Sequence, residues 1–139
     1  MEAFIGTWRH DVSKNENLDA FLKVLEVPDA LLPALKKRQY TYKISKSGDN
    51  WTFEMSDEND PSLSPKTYTV KENQDYEVVD LDGVKYKVTM NMDGNKSTEK
   101  MTMHETGLVV NVSRVVEGNT MKAVHSCKGA SMTAYFVRC

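Results

Sequence analysis

From Asp82 to Arg138 glycine returns at a nearly even interval, and this is the feature that most limits what the chain can fold into. Gly83, Gly94, Gly107, Gly118 and Gly129 are spaced 11, 13, 11 and 11 residues apart. Each lies in a turn-like setting: Asp82-Gly83, Asp93-Gly94-Asn95, Thr106-Gly107, Gly118-Asn119 and Lys128-Gly129. Between the turns, apolar and polar residues alternate. Val84, Tyr86, Val88 and Met90 share one face, and Lys85, Lys87, Thr89 and Asn91 share the other. A period of two means strands with one buried face. Short strands at this spacing predict an antiparallel meander, in a sandwich or a barrel.

One residue breaks the pattern. On the strand from Leu108 to Val116, the apolar face carries Val110, Val112 and Val116, and also Arg114. An inward charge is costly unless something pairs with it. Arg114 is therefore either paired with an internal carboxylate, leaning out at a strand end, or an anion receptor inside a cavity.

The rest of the chain supports the same class. Phe4 to Val12 reads as a first strand, with Gly6 marking a bend or the close packing of another backbone and Trp8 in the core. Leu18, Phe21, Leu22 and Leu25 then fall at helical spacing, with Asn17 or Asn15 as the cap. Val27-Pro28 ends that helix, and Pro33 either follows a very short helix or opens a second one that closes on Lys36-Lys37-Arg38. From Gln39 onward the pattern is β. Tyr40, Tyr42 and Ile44 precede a turn at Ser47–Asn50, and Trp51, Phe53 and Met55 follow it. Asp57 to Ser62 reads as an acidic loop. About ten strands result, with a helical insertion after the first. A sheet of that many strands closes on itself or splits into two layers, because open edges are a liability.

At 139 residues the chain, 1–139, is one domain with a sizeable core. A net charge of -2 gives no reason to expect a nucleic-acid partner. The start Met1-Glu2-Ala3-Phe4 lacks a basic then apolar leader, and two cysteines, Cys127 and Cys139, make no disulfide framework. The composition thus predicts a cytoplasmic protein. His10, His104 and His125 have no metal-ligand spacing, and no phosphate loop, nucleophile elbow or other enzyme constellation is present. No cofactor and no catalysis are expected.

Taken together, Phe4-Ile5-Gly6-Thr7-Trp8, Leu18–Val27, Gly48-Asp49-Asn50-Trp51-Thr52, Asp82-Gly83-Val84-Lys85 and Ser113–Lys122 resemble, in order and spacing, the intracellular lipid-binding family that includes the fatty-acid-binding proteins. The resemblance covers the full chain. It implies a mainly β fold: a ten-stranded antiparallel up-and-down barrel, lipocalin-like, with a helix-turn-helix lid after the first strand. It implies a monomeric carrier that binds a long-chain fatty acid or related lipid non-covalently. The family's carboxylate receptor is an arginine on the eighth strand with an Arg-x-Tyr on the last. Arg114 matches the first and Tyr135 the tyrosine, while Thr133 stands where the second arginine is usual. The expected receptor is thus Arg114, Tyr135 and Thr133. The alternative reading, from the loss at Thr133, is a carrier of neutral or bulkier lipids such as retinoids or esters.

Register places Tyr86, Val88, Met90, Met101 and Met103 on or beside the cavity, with Val112, Met121, Ala123 and His125. Flexible thioethers suit a pocket that adapts to varied tails. The portal falls to Leu31, Leu32 and Leu35, with Trp51 or Phe53 from the neighbouring hairpin. Lys36 and Lys37 are placed for transient contact with an anionic membrane.

Overall fold

The computed structural model describes residues 3–139, so Met1 and Glu2, where the leader reading begins, lie outside the described residues. Ten strands run in chain order: β1 Gly6–His10, β2 Tyr40–Ser47, β3 Asn50–Asp57, β4 Lys66–Val70, β5 Tyr76–Val79, β6 Lys85–Asp93, β7 Lys96–Met103, β8 Val109–Glu117, β9 Thr120–Cys127 and β10 Ala130–Arg138. Two short helices follow the first strand, α1 Leu18–Val24 and α2 Leu32–Lys37. All pairings are antiparallel, in the order β4-β3-β2-β1-β10-β9-β8-β7-β6-β5. Because β1 pairs with both β2 and β10, the first strand joins the two halves and the sheet wraps into a nearly closed barrel. Closure removes most of the exposed edge.

The remaining gap, between β4 and β5, is spanned by side chains. The Tyr68 hydroxyl accepts from the Val79 N–H at 2.8 Å and donates to the Val79 carbonyl. Towards the opposite end of these strands, Glu72 accepts from the Trp51 indole at 3.4 Å and from the Met92 N–H at 2.9 Å. Glu72 lies in the loop between β4 and β5, so one carboxylate ties that loop to β3 and β6.

The hydrophobic stripe of α1 buries Phe21 and Leu22 under the lid, and α1 packs on β10. Asn17 is its N-cap residue, but the side chain makes no cap; it donates to the Ser131 carbonyl at 2.7 Å and so pins the helix start to β10. Both possibilities for Pro33 hold: a single 3-10 turn, Asp29–Leu31, precedes it, and Pro33 lies in the first turn of α2.

Arg38, the last residue of the basic run that closes α2, turns inward, and Asp57, which the sequence places in an acidic loop, instead ends β3 and is buried. Arg38 Nε lies 3.1 Å from Asp57, and its Nη1 lies 2.7 Å from Asp82. The Arg38 and Asp57 side chains are each only 3% exposed. A guanidinium leaves water here because two carboxylates, from the end of β3 and the β5–β6 turn, replace its hydration. The contact fastens the C-terminus of α2 to both turns.

At the other end Trp8 is fully buried. Its indole donates to the Phe4 carbonyl at 2.9 Å, and the Arg138 guanidinium stacks 4.2 Å from its ring. Gly6 adopts φ +138°, and a Cβ there would lie 2.7 Å from Arg138 Nη1. The expected backbone neighbour at Gly6 is thus not what the structure shows: the close approach is from the Arg138 side chain.

Candidate functional site

Alternation along β6 to β10 turns one row of each strand into the barrel. Val88 and Met90 on β6, Val112 on β8, and Met121 and Ala123 on β9 are buried. Tyr86, Met101, Met103 and His125 lie on the same inward rows and are half-buried.

Arg114 faces inward from β8. Across the sheet its row continues through Ala123 on β9 to Ala134 on β10, and through Ser97 on β7 on the other side. Small neighbours leave room around the guanidinium. It does not wait empty: Nη1 donates a hydrogen bond to the Glu99 carboxylate, one position along β7 on the same face. The two side chains keep 14% and 13% of their surface, which by register opens on the barrel interior. Of the readings that spacing left open for Arg114, the structure shows the internal carboxylate partner.

Phenols and an imidazole complete the surroundings. Tyr42, from β2, stands beside Arg114, and Tyr76, from β5, faces both Glu99 and Arg114. Burial pushes both phenols well above the usual tyrosine range, with Arg114 pulling the other way. Burial opposes the charge on Arg114 too, but the Glu99 carboxylate and Tyr42 outweigh it and raise its pKa. His125 is pushed down to about 3, first by burial and then by Arg114, so it is neutral at ordinary pH. His10 is also lowered, by burial, against the pull of a 2.6 Å contact with Asn15 Oδ1. Its ring stacks on Phe136 at 5.0 Å and on Tyr40 at 5.9 Å.

Tyr135 and Thr133 do not join Arg114. On β10 the buried residues are Met132, Ala134 and Phe136, so Thr133 and Tyr135 point outward. The Tyr135 hydroxyl donates to Glu16 at 3.0 Å on the exposed side, and the Thr133 backbone pairs with Glu16. The inward pair on the last strand is Ala134 and Phe136. The correction is one residue of register, and in a strand one residue exchanges the two faces.

Trp51 does not belong to the portal. It is 2% exposed and sits at the far end of β3 from α2, against Phe53 and Lys46. Leu31, Leu32 and Leu35 do lie on the lid, where Leu31 is 37% exposed. Lys36 and Lys37 are exposed in the last turn of α2, and Lys36 reaches Asp19 of α1 at 3.2 Å.

Sequence reasoning missed Glu99, Tyr42 and Tyr76. Glu99 had a legible signal: it interrupts the row Ser97, Glu99, Met101, Met103 just as Arg114 interrupts its own. The phenols had none, since tyrosine is common on buried strand faces. A depression of about 490 Å³ lies along β6 to β9, lined by uncharged polar side chains such as Asn91, Thr98, Asn111 and Ser113, by the charged pair of neighbours Glu99 and Lys100, and by the inward Met90 and Val112.

Among the described residues no group of His, Cys, Asp and Glu could hold a metal ion, and no helix is long and apolar enough to cross a membrane.

Comparison with known proteins fits this geometry. Residues 2–132 match the lipocalin / cytosolic fatty-acid binding protein family. Gastrotropin of Sus scrofa is 25% identical over 123 residues, covering 88% of this chain and 91% of gastrotropin. The liver-type fatty acid-binding protein of Epinephelus coioides is 27% identical over 113 residues, 81% of this chain and 82% of its own. Among solved structures, a Schistosoma mansoni fatty acid binding protein in complex with arachidonic acid superposes with a TM-score of 0.87 at 20% identity, covering 100% of this chain and 98% of that one.

Proposed function

This chain belongs to the lipocalin / cytosolic fatty-acid binding protein family, and we propose that it carries a long-chain fatty acid non-covalently inside the barrel, with the head group at Arg114. The observation behind this reading is a partly buried, inward guanidinium set among small side chains and two phenols, beside methionine-bearing walls. Each CH₂ that leaves water contributes roughly 0.8 kcal/mol, so about ten give roughly 8 kcal/mol before ordering costs. The tail supplies affinity; charge-assisted hydrogen bonds from Arg114 fix the orientation of the carboxylate.

The carrier is a cytoplasmic monomer without catalytic function. Its relatives support the cargo class, a liver-type fatty acid-binding protein and a fatty acid binding protein in complex with arachidonic acid. The neutral-lipid alternative rested on the missing last-strand arginine, and the inward Ala134 and Phe136 supply no charge there either; the fatty-acid reading stands on Arg114 and on the relatives. The lid carries Leu31, Leu32 and Leu35 at the portal, and Lys36 and Lys37 dock it transiently on anionic membrane. Charge reversal at both lysines is expected to slow transfer to anionic vesicles; unchanged transfer would remove the membrane role.

Displacement of a fluorescent fatty-acid probe by oleate and by methyl oleate tests the cargo. Oleate should compete better than its ester on the wild type, and that advantage should vanish in Arg114→Gln/Glu99→Gln. Equal competition by both on the wild type would show that the carboxylate is not what the site reads.

A further inference from the structure

The receptor proposed above is already occupied by a carboxylate of the protein itself. Arg114 donates to Glu99, and both side chains are largely withdrawn from water. A fatty-acid carboxylate arriving at Arg114 therefore meets a neutral pair, not a free cation. Two ionised carboxylates on one guanidinium would leave a buried negative charge uncompensated, and carboxyl groups sharing a site avoid this by retaining a proton.

The titratable groups that face the pair do not relieve the charge. Tyr42 from β2 and Tyr76 from β5 are neutral phenols. His125 from β9 is held neutral by its burial and by Arg114 itself, and His10 from β1, beyond His125, is buried as well. Asp80, further off on the side of Tyr42, adds negative character. The inward position beside Arg114 on β10 is Ala134, which offers no charge.

Resting on the reading that a fatty-acid head group meets Arg114, we propose that Glu99 makes binding proton-coupled: the carboxylate enters together with one proton from solvent, which ligand and Glu99 then share. The charge balances. The guanidinium contributes +1, the two carboxylates -2 and the proton +1, so the filled site stays neutral. No bond other than O–H forms, and the proton returns to solvent on release. Glu99 is thus a specificity-determining residue. It favours the acid over its anion, and it makes retention weaken as pH rises.

Calorimetry of oleate binding to the full chain, in phosphate and in Tris at the same pH, reads the protons directly. Below the aggregation concentration of oleate, the wild type should take up about one proton per oleate, and its affinity should fall about tenfold per pH unit between roughly pH 7 and 9. In Glu99→Gln the uptake should vanish, the affinity should become flat with pH, and binding at alkaline pH should be tighter than wild type. Tight wild-type binding with no uptake and no pH slope overturns the proposal while leaving the carrier intact. Uptake that persists in Glu99→Gln overturns it as well, since His125 would then be the acceptor. If Glu99→Gln does not fold, His125→Asn decides: unchanged uptake supports Glu99, and lost uptake excludes it. Absence of oleate binding at every pH defeats the fatty-acid reading itself, and the coupling with it.

Discussion

The Tyr68 hydroxyl on β4 accepts from the backbone N–H of Val79 on β5 at 2.8 Å and donates to the carbonyl of the same residue. One side chain thus stands in for the strand ladder where the barrel does not close. Removing the hydroxyl leaves a partly buried N–H and C=O without that partner, which costs about 1–3 kcal/mol. Tyr68→Phe should lower the urea midpoint accordingly and speed hydrogen exchange at the Val79 amide, with little change at amides of β8 and β9. Unaltered protection at Val79 would show that solvent already satisfies these groups.

Arg114 and Glu99 should be strongly non-additive. Arg114→Met alone strands a buried carboxylate and should destabilise by about 3–5 kcal/mol, and Glu99→Leu alone strands the guanidinium at a similar cost. The double variant should recover most of that loss, because an apolar pair needs no desolvation of charge. Urea unfolding of the four proteins checks this; additive losses would mean that each group has another effective partner.

Stability should depend on pH through His125. Its folded pKa, about 3, lies below the unfolded value near 6.5. Between those values the unfolded chain binds more protons than the folded one. The stability associated with a neutral His125 is therefore complete above about pH 6.5 and declines as pH falls, by up to about 1.4 kcal/mol per unit. His10, also lowered, adds to the same slope. Denaturant midpoints between pH 7.5 and 5 should fall, and His125→Asn should flatten part of that fall. A midpoint independent of pH in this window would place the imidazole in water.

Gly6→Ala tests the closed end. A Cβ at this position meets Arg138 Nη1 at 2.7 Å, and Arg138 is pinned by hydrogen bonds of 2.6 Å to the Ile5 carbonyl and 2.9 Å to the Ala3 carbonyl. The φ of +138° adds strain for any L side chain, so the loss should be about 1–3 kcal/mol. A shift in tryptophan emission should accompany it, because Arg138 stacks on Trp8.

What the sequence settles on its own is what repeats locally. Turn glycines and a period of two define ten strands, four apolar residues at helical spacing place α1 between them, and the same count that put Arg114 on an inward row could have put Glu99 there. These follow from backbone geometry within a few residues, so no distant contact is needed to read them. Only tertiary structure decides the rest. Both faces of β10 carry apolar side chains, Met132, Ala134 and Phe136 against Tyr135 and Val137, so alternation alone does not say which faces inward. Pairing with β1 and β9 chooses, and it sends Tyr135 outward to Glu16. In the same way, Arg114 finds Glu99 on the next strand and Tyr42 from β2, and Arg38 finds Asp57 and Asp82. A buried charge is stable only with a partner, and that partner is chosen by which strands the closed barrel brings face to face.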